Sequence, residues 1–139
     1  MKIFTTEIRI RFMDIDAMGH VNHAKIISYF AEGRNEFLAD MFDQFKPETF
    51  PFILKYVECY YINLIGLENQ LTLEIWVKEI KNKSFTLGYK LVDKEKKDIT
   101  YAQGGSVQIC YDYNESRSIE ISNKLRQKLL EYYIHNLDS

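Results

Sequence analysis

Residues 9–34 read Arg-Ile-Arg-Phe-Met-Asp-Ile-Asp-Ala-Met-Gly-His-Val-Asn-His-Ala-Lys-Ile-Ile-Ser-Tyr-Phe-Ala-Glu-Gly-Arg. The charged–apolar alternation over residues 7–12 has the two-residue period of a strand with one buried face. A short loop follows with two aspartates, Asp14 and Asp16, one glycine, Gly19, and two histidines, His20 and His23. The period then lengthens. Ile26, Phe30, Gly33, Phe37 and Met41 recur every three or four residues, and Ile27 and Leu38 widen the stripe. That spacing predicts an amphipathic helix of about five turns. Gly33 on the apolar face would let the helix lie close against a sheet, where a glycine is otherwise a cost. A loop carboxylate therefore stands beside a helix N-terminus whose first N–H groups lack helical partners and carry the positive end of the macrodipole. One group can attack or take a proton, and the other can hold a negative oxygen. Acyl transfer needs both.

Working outward, Pro47 and Pro51 mark a loop, and residues 52–63 form an aromatic-rich run that suits a strand. Leu71, Leu73, Ile75 and Val77 alternate with polar neighbours, as do Phe85, Leu87, Tyr89 and Leu91, so each series predicts a strand. The charged run 93–98 between strands reads as a solvated hairpin tip. A last strand spans about 99–111, where Gly104-Gly105 suggests a bulge or a close approach by a neighbour or ligand. Ser122 can cap a terminal helix with Leu125, Leu129 and Tyr132 on one face. The expected class is α+β: a five-stranded antiparallel sheet wrapped around one long helix, with a short C-terminal helix. One helix covers only part of one sheet face, so a second subunit is expected.

At 139 residues the chain suits a single domain over 1–139, and 46% hydrophobic residues supply a core. A net charge of −2 argues against nucleic-acid binding. Cys59 and Cys110 sit in strand-like runs without CxxC spacing and read as buried thiols of a reducing compartment. The N-terminus lacks a signal-peptide apolar stretch and no apolar run reaches membrane-spanning length. A cytoplasmic protein without membrane partners is expected. His20 and His23 lie three apart with no third ligand at sensible spacing, so no metal is expected, and packing or substrate contact is the better reading. Asp14, two residues before Asp16, reads as structural, accepting hydrogen bonds from loop amides, with a catalytic carboxylate pair as the alternative. Glu32 and Arg34 cannot face each other in a helix and read as partners of other elements.

Residues 11–24, then Tyr29-Phe30-Ala31-Glu32-Gly33-Arg34, and later Lys83-Ser84-Phe85 resemble the hotdog-fold thioesterases. The branch is that of 4-hydroxybenzoyl-CoA thioesterase and the Tol-Pal-associated acyl-CoA thioesterases. The shared pattern is Asp-x-Asp-x-x-Gly-x-Val before the central helix, Glu-x-Arg within it, and Lys-Ser-Phe at a strand start. The resemblance implies an acyl-CoA thioesterase that needs no cofactor, working as a homodimer or a dimer of dimers. Its sheets would join through the 52–63 strand, with CoA across the interface. Asp16 falls on the catalytic carboxylate, as nucleophile or general base, and the oxyanion donor falls on the backbone N–H at or next to His23. Gly19, His20, Val21 and Asn22 fall around the substrate, Lys83 and Ser84 could meet CoA phosphates, and Glu58 is a candidate second acid. Three departures bear on the substrate: Ile26 replaces a frequent tyrosine, Leu64 and Glu68-Asn69 replace Pro and Gly-Asp, and Asn22 and His23 replace benzoyl-pocket aromatics. A fatty or short acyl group is therefore expected rather than an aromatic one. An acyl-carrier-protein thioesterase and a non-catalytic thioester-binding module are the alternatives.

Overall fold

Gly33 explains how the long helix and the sheet meet. A methyl group placed on it would lie 2.3 Å from Leu73 Cδ2 and 3.3 Å from Ile75 Cδ1. The helix thus lies so close to the strand that a side chain at that position would force the end of Leu73 to shift. In the computed structural model, which describes residues 2–41 and 52–135, this helix is α1 (His23–Met41). It buries Ile26, Tyr29, Phe30, Gly33, Phe37, Leu38 and Met41, the expected stripe with Tyr29 added and Ile27 only half-buried. Pro47 and Pro51 lie outside the described residues.

Around α1 stand β1 (Phe4–Ile8), β2 (Phe52–Tyr61), β3 (Leu71–Ile80), β4 (Ser84–Asp93), β5 (Thr100–Asp112) and a two-residue β6 (Arg117–Ser118). The short helix α2 (Asn123–Leu130) follows, with Ser122 Oγ accepting from Leu125 N at 3.1 Å as its cap. All pairings are antiparallel, in the order β1-β3-β4-β5-β2, and β6 adds to β5. Residues 62–70 therefore carry the chain from one edge of the sheet back toward the other. β2 is left at the edge with one side unpaired among the described residues. This is the α+β hotdog arrangement expected, with β6 as a small addition.

The first strand differs from expectation. It covers Phe4–Ile8 rather than residues 7–12, because its ladder with β3 ends at the pair Ile8–Leu71. Beyond that pair the chain has no strand to bond, and residues Phe12–Asp14 wind into a 3-10 turn. The backbone N–H of Arg11 is taken instead by Asp14 Oδ2 at 3.1 Å.

The glycine pair in β5 is a close approach, not a bulge. A Cβ on Gly104 would sit 2.1 Å from the Glu58 carbonyl oxygen of β2. The hairpin tip is as read: Asp93 accepts from Glu95 N and Lys96 N. In the core, Phe30 stacks on Tyr89 at 4.7 Å, and Phe37 packs between Phe4 and Tyr132 at 5.2 and 4.9 Å. Cys110 is buried and Cys59 half-buried, both as free thiols.

Candidate active site

The loop between β1 and α1 is built around two aspartates in different environments. Asp14 is buried and accepts from the Tyr29 hydroxyl at 2.6 Å through the same oxygen that caps Arg11, while its carbonyl accepts from Asn22 N at 2.8 Å. Burial, and then the adjacent Asp14 carboxylate, hold the Tyr29 phenol well above the usual tyrosine range. Asp14 is thus the structural residue of the pair. It ties the loop start, the loop end and the helix into one unit.

Asp16 faces the other way and is exposed. Its Oδ1 accepts from Met18 N at 2.9 Å and His20 N at 3.2 Å, which fixes the carboxylate, while Oδ2 has no hydrogen-bond partner among the described residues. The turn closes with Asp16 N donating to His20 O and Gly19 N to Asp16 O. Gly19 stands at φ +86°, a left-handed conformation that glycine adopts without steric cost. Val21 N then donates to Ile65 O at 2.8 Å, docking the loop on the segment that leaves β2.

Asn22 caps α1: its side-chain oxygen accepts from Ala24 N and its carbonyl from Lys25 N, both at 2.9 Å. With the amides of residues 22, 24 and 25 all bonded, His23 N–H is left without a partner among the described residues. It lies in the first turn, where the helix dipole favours a negative oxygen. The His23 ring packs edge-on against Tyr61 of β2 with centroids 5.8 Å apart. His20 is half-buried in the loop.

The remaining expected residues do not gather there within one chain. Glu58 pairs with Gly105, which pairs with Gly88, which pairs with Trp76. That row lies on the sheet face away from α1, since the alternate residues Leu73 and Ile75 meet the helix. Lys83 and Ser84 lie at the start of β4, by Ile109 of β5, whereas Tyr61 pairs with Ala102 of β5. Seven residues of strand separate those two ends, about 23 Å. A cleft of about 450 Å³ bounded by Glu7, Arg9, Leu67, Gln70 and Lys94 contains none of the expected site residues.

Two features were missed from the sequence. Tyr29 as the partner of Asp14 was available from its position three residues after Ile26, on the apolar stripe. Arg34 was expected to pair with a charge; instead its Nη1 donates to the Tyr89 hydroxyl at 3.2 Å. Glu32 does form the expected ion pair, with Arg11 at 3.1 Å.

A family model described as the Thioesterase-like superfamily matches residues 10–129. Over 126 residues, 89% of this chain and 95% of the other, the sequence is 23% identical to the long-chain acyl-CoA thioesterase FadM of Escherichia coli. A solved structure described as a predicted thioesterase from Bacillus stearothermophilus superposes with a TM-score of 0.89 at 23% identity, covering 96% of this chain and 98% of that one. A thioesterase from Thermus thermophilus, complexed with coenzyme A and zinc, superposes with a TM-score of 0.79 at 20% identity, covering 92% of each chain. With the family model spanning most of its length and the hotdog sheet around α1, the chain belongs to the Thioesterase-like superfamily of thioester hydrolases.

Proposed function

We propose that the protein is an acyl-CoA thioesterase acting on a fatty or short-chain acyl group. Asp16 is its reactive carboxylate and the His23 N–H its oxyanion donor. The observation that carries this reading is a pair of open valences. One oxygen of Asp16 is immobilised by two amides while the other has no partner among the described residues, and the same holds for the His23 amide in the first helical turn. The free amide would polarise the thioester carbonyl and hold the oxyanion, a contribution of about 3 kcal/mol in comparable sites. The Asp16 carboxylate then either adds to that carbon, expelling CoA thiolate and leaving an anhydride for water to open, or removes a proton from an attacking water. Either route ends in free acid and CoA.

The split of the expected CoA residues supports a homodimer. If two β2 edges pair antiparallel, the Phe52 end of one strand lies by the Tyr61 end of its partner. Lys83 and Ser84 of one protomer would then stand beside the Asp16 loop of the other. Leu54, Tyr56 and Tyr60 along β2 are 48%, 54% and 62% exposed in the single chain, an apolar edge that such pairing would cover. The similarity to FadM and to the CoA-bound Thermus protein supports a CoA ester as substrate. Thiol release across acetyl-, medium-chain, long-chain and benzoyl-CoA tests the reading. Turnover of aliphatic esters above benzoyl-CoA is expected; release from none of them would overturn it.

A further inference from the structure

Eleven residues separate His23 from Arg34 on α1, which amounts to three turns with about 20° left over and about 16 Å of rise. The two side chains therefore lie on one side of the helix, with half-buried Ile27 and Ala31 and fully buried Phe30, which stacks on Tyr89, between them. His23 meets the sheet at Tyr61 and Arg34 meets it at Tyr89. On this face of the sheet the row from Tyr89 continues through Gly104 to Cys59, and the row from Leu87 through Ser106 to Val57. Cys59 and Val57 are only half-buried, so the helix does not fully cover this strip.

At the Arg34 end the core turns polar. The fully buried Tyr89 hydroxyl lies 2.6 Å from Ser106 Oγ, Ser106 donates to Gln108 Oε1, and Gln108 Nε2 donates to the Phe85 carbonyl at 3.2 Å. Because Ser106 gives its proton to Gln108, Tyr89 must give its own to Ser106 and accept from Arg34. Every member of that chain is matched except the guanidinium. It uses one of its five N–H groups and has no carboxylate partner among the described residues. A half-buried cation without a counter-charge is costly, and a planar guanidinium is suited to grip a carboxylate with two bonds.

We propose that Arg34 holds a carboxylate at the far end of the acyl chain, so that the site prefers ω-carboxyacyl thioesters over plain fatty ones. This rests on the thioester being held at the α1 N-terminus as proposed above. From there an extended chain of roughly a dozen carbons spans the 16 Å or so to Arg34.

The test is calorimetric binding of S-alkyl-CoA thioethers, which cannot be hydrolysed, with and without a terminal carboxylate. The wild-type protein is expected to bind the twelve-carbon ω-carboxy thioether about tenfold tighter than S-dodecyl-CoA, in keeping with a charge-assisted pair. The preference should shrink when the chain is four carbons shorter. Arg34→Gln should bind both ligands equally, and Arg34→Lys should retain part of the preference. Equal or weaker binding of the ω-carboxy ligand by wild type overturns the proposal, as does a preference that survives in Arg34→Gln. If S-dodecyl-CoA binds and dodecanoyl-CoA is hydrolysed in that event, the thioesterase reading stands. If neither ligand binds, both readings fall.

Discussion

Two aspartates two residues apart stand in opposite environments because one is turned inward and the other outward. Asp14 uses its carboxylate on the Arg11 amide and the Tyr29 hydroxyl inside the fold, while Asp16 keeps one oxygen open at the surface. A straight strand would have put both on one face, since side chains two apart share a side; the 3-10 turn at Phe12–Asp14 bends the chain and separates them. The structural role of Asp14 was thus legible in the sequence, but the bend that turns the two side chains apart was not. Removing the Tyr29 hydroxyl leaves a buried carboxylate with one donor fewer. Tyr29→Phe is therefore expected to lower the unfolding free energy by about 1–3 kcal/mol, read by urea denaturation with an unchanged m-value. A loss below the error of the measurement would mean that the bond does not hold the loop to the helix.

Among the elements, what could be read in advance was whatever depended on periodicity. The stripe from Ile26 to Met41, the strands through Leu73 and Tyr89, and the Ser122 cap each follow from local spacing and appear where expected. The elements that depend on a distant partner could not be read so. β1 stops at Ile8 because β3 begins at Leu71, and the Arg34–Tyr89–Ser106–Gln108 chain joins three elements that no local pattern links. The two close-approach glycines separate the kinds of contact. At Gly104 the obstacle is the Glu58 backbone, which no rotamer can move; at Gly33 it is chiefly the end of the Leu73 side chain. Gly104→Ala should thus cost about 2–3 kcal/mol and loosen β2 from β5. Gly33→Ala should cost less, since alanine recovers about 1 kcal/mol of helix propensity. Equal losses in thermal or urea unfolding would contradict this distinction.

At the scale of the whole molecule, the sheet is held by a core in which several ionisable groups stay neutral. Burial and the Asp93 carboxylate push the Tyr101 phenol up to about 12, and burial pushes the Cys110 thiol up to about 11. Both values exceed the unfolded ones, about 10 for tyrosine and about 8.5 for cysteine. The folded state therefore holds more protons than the unfolded chain at alkaline pH. The associated stability is complete below the unfolded values and is lost as pH rises through the folded ones. The melting temperature is expected to be level from pH 7 to about 8 and to fall progressively above about pH 9; a level profile up to about pH 11 would contradict the burial assigned to these groups. The proposed function depends on the same frame, which presents the Asp16 carboxylate and the His23 amide near the tip of one helix. The most direct measurement is thiol release from saturating acyl-CoA by Asp16→Asn, which keeps the loop's size and accepting oxygen but removes the charge. The expected result is a fall of at least about a thousandfold in kcat with acyl-CoA binding still measurable. An Asp16→Asn protein that turns over at the wild-type rate would contradict the account.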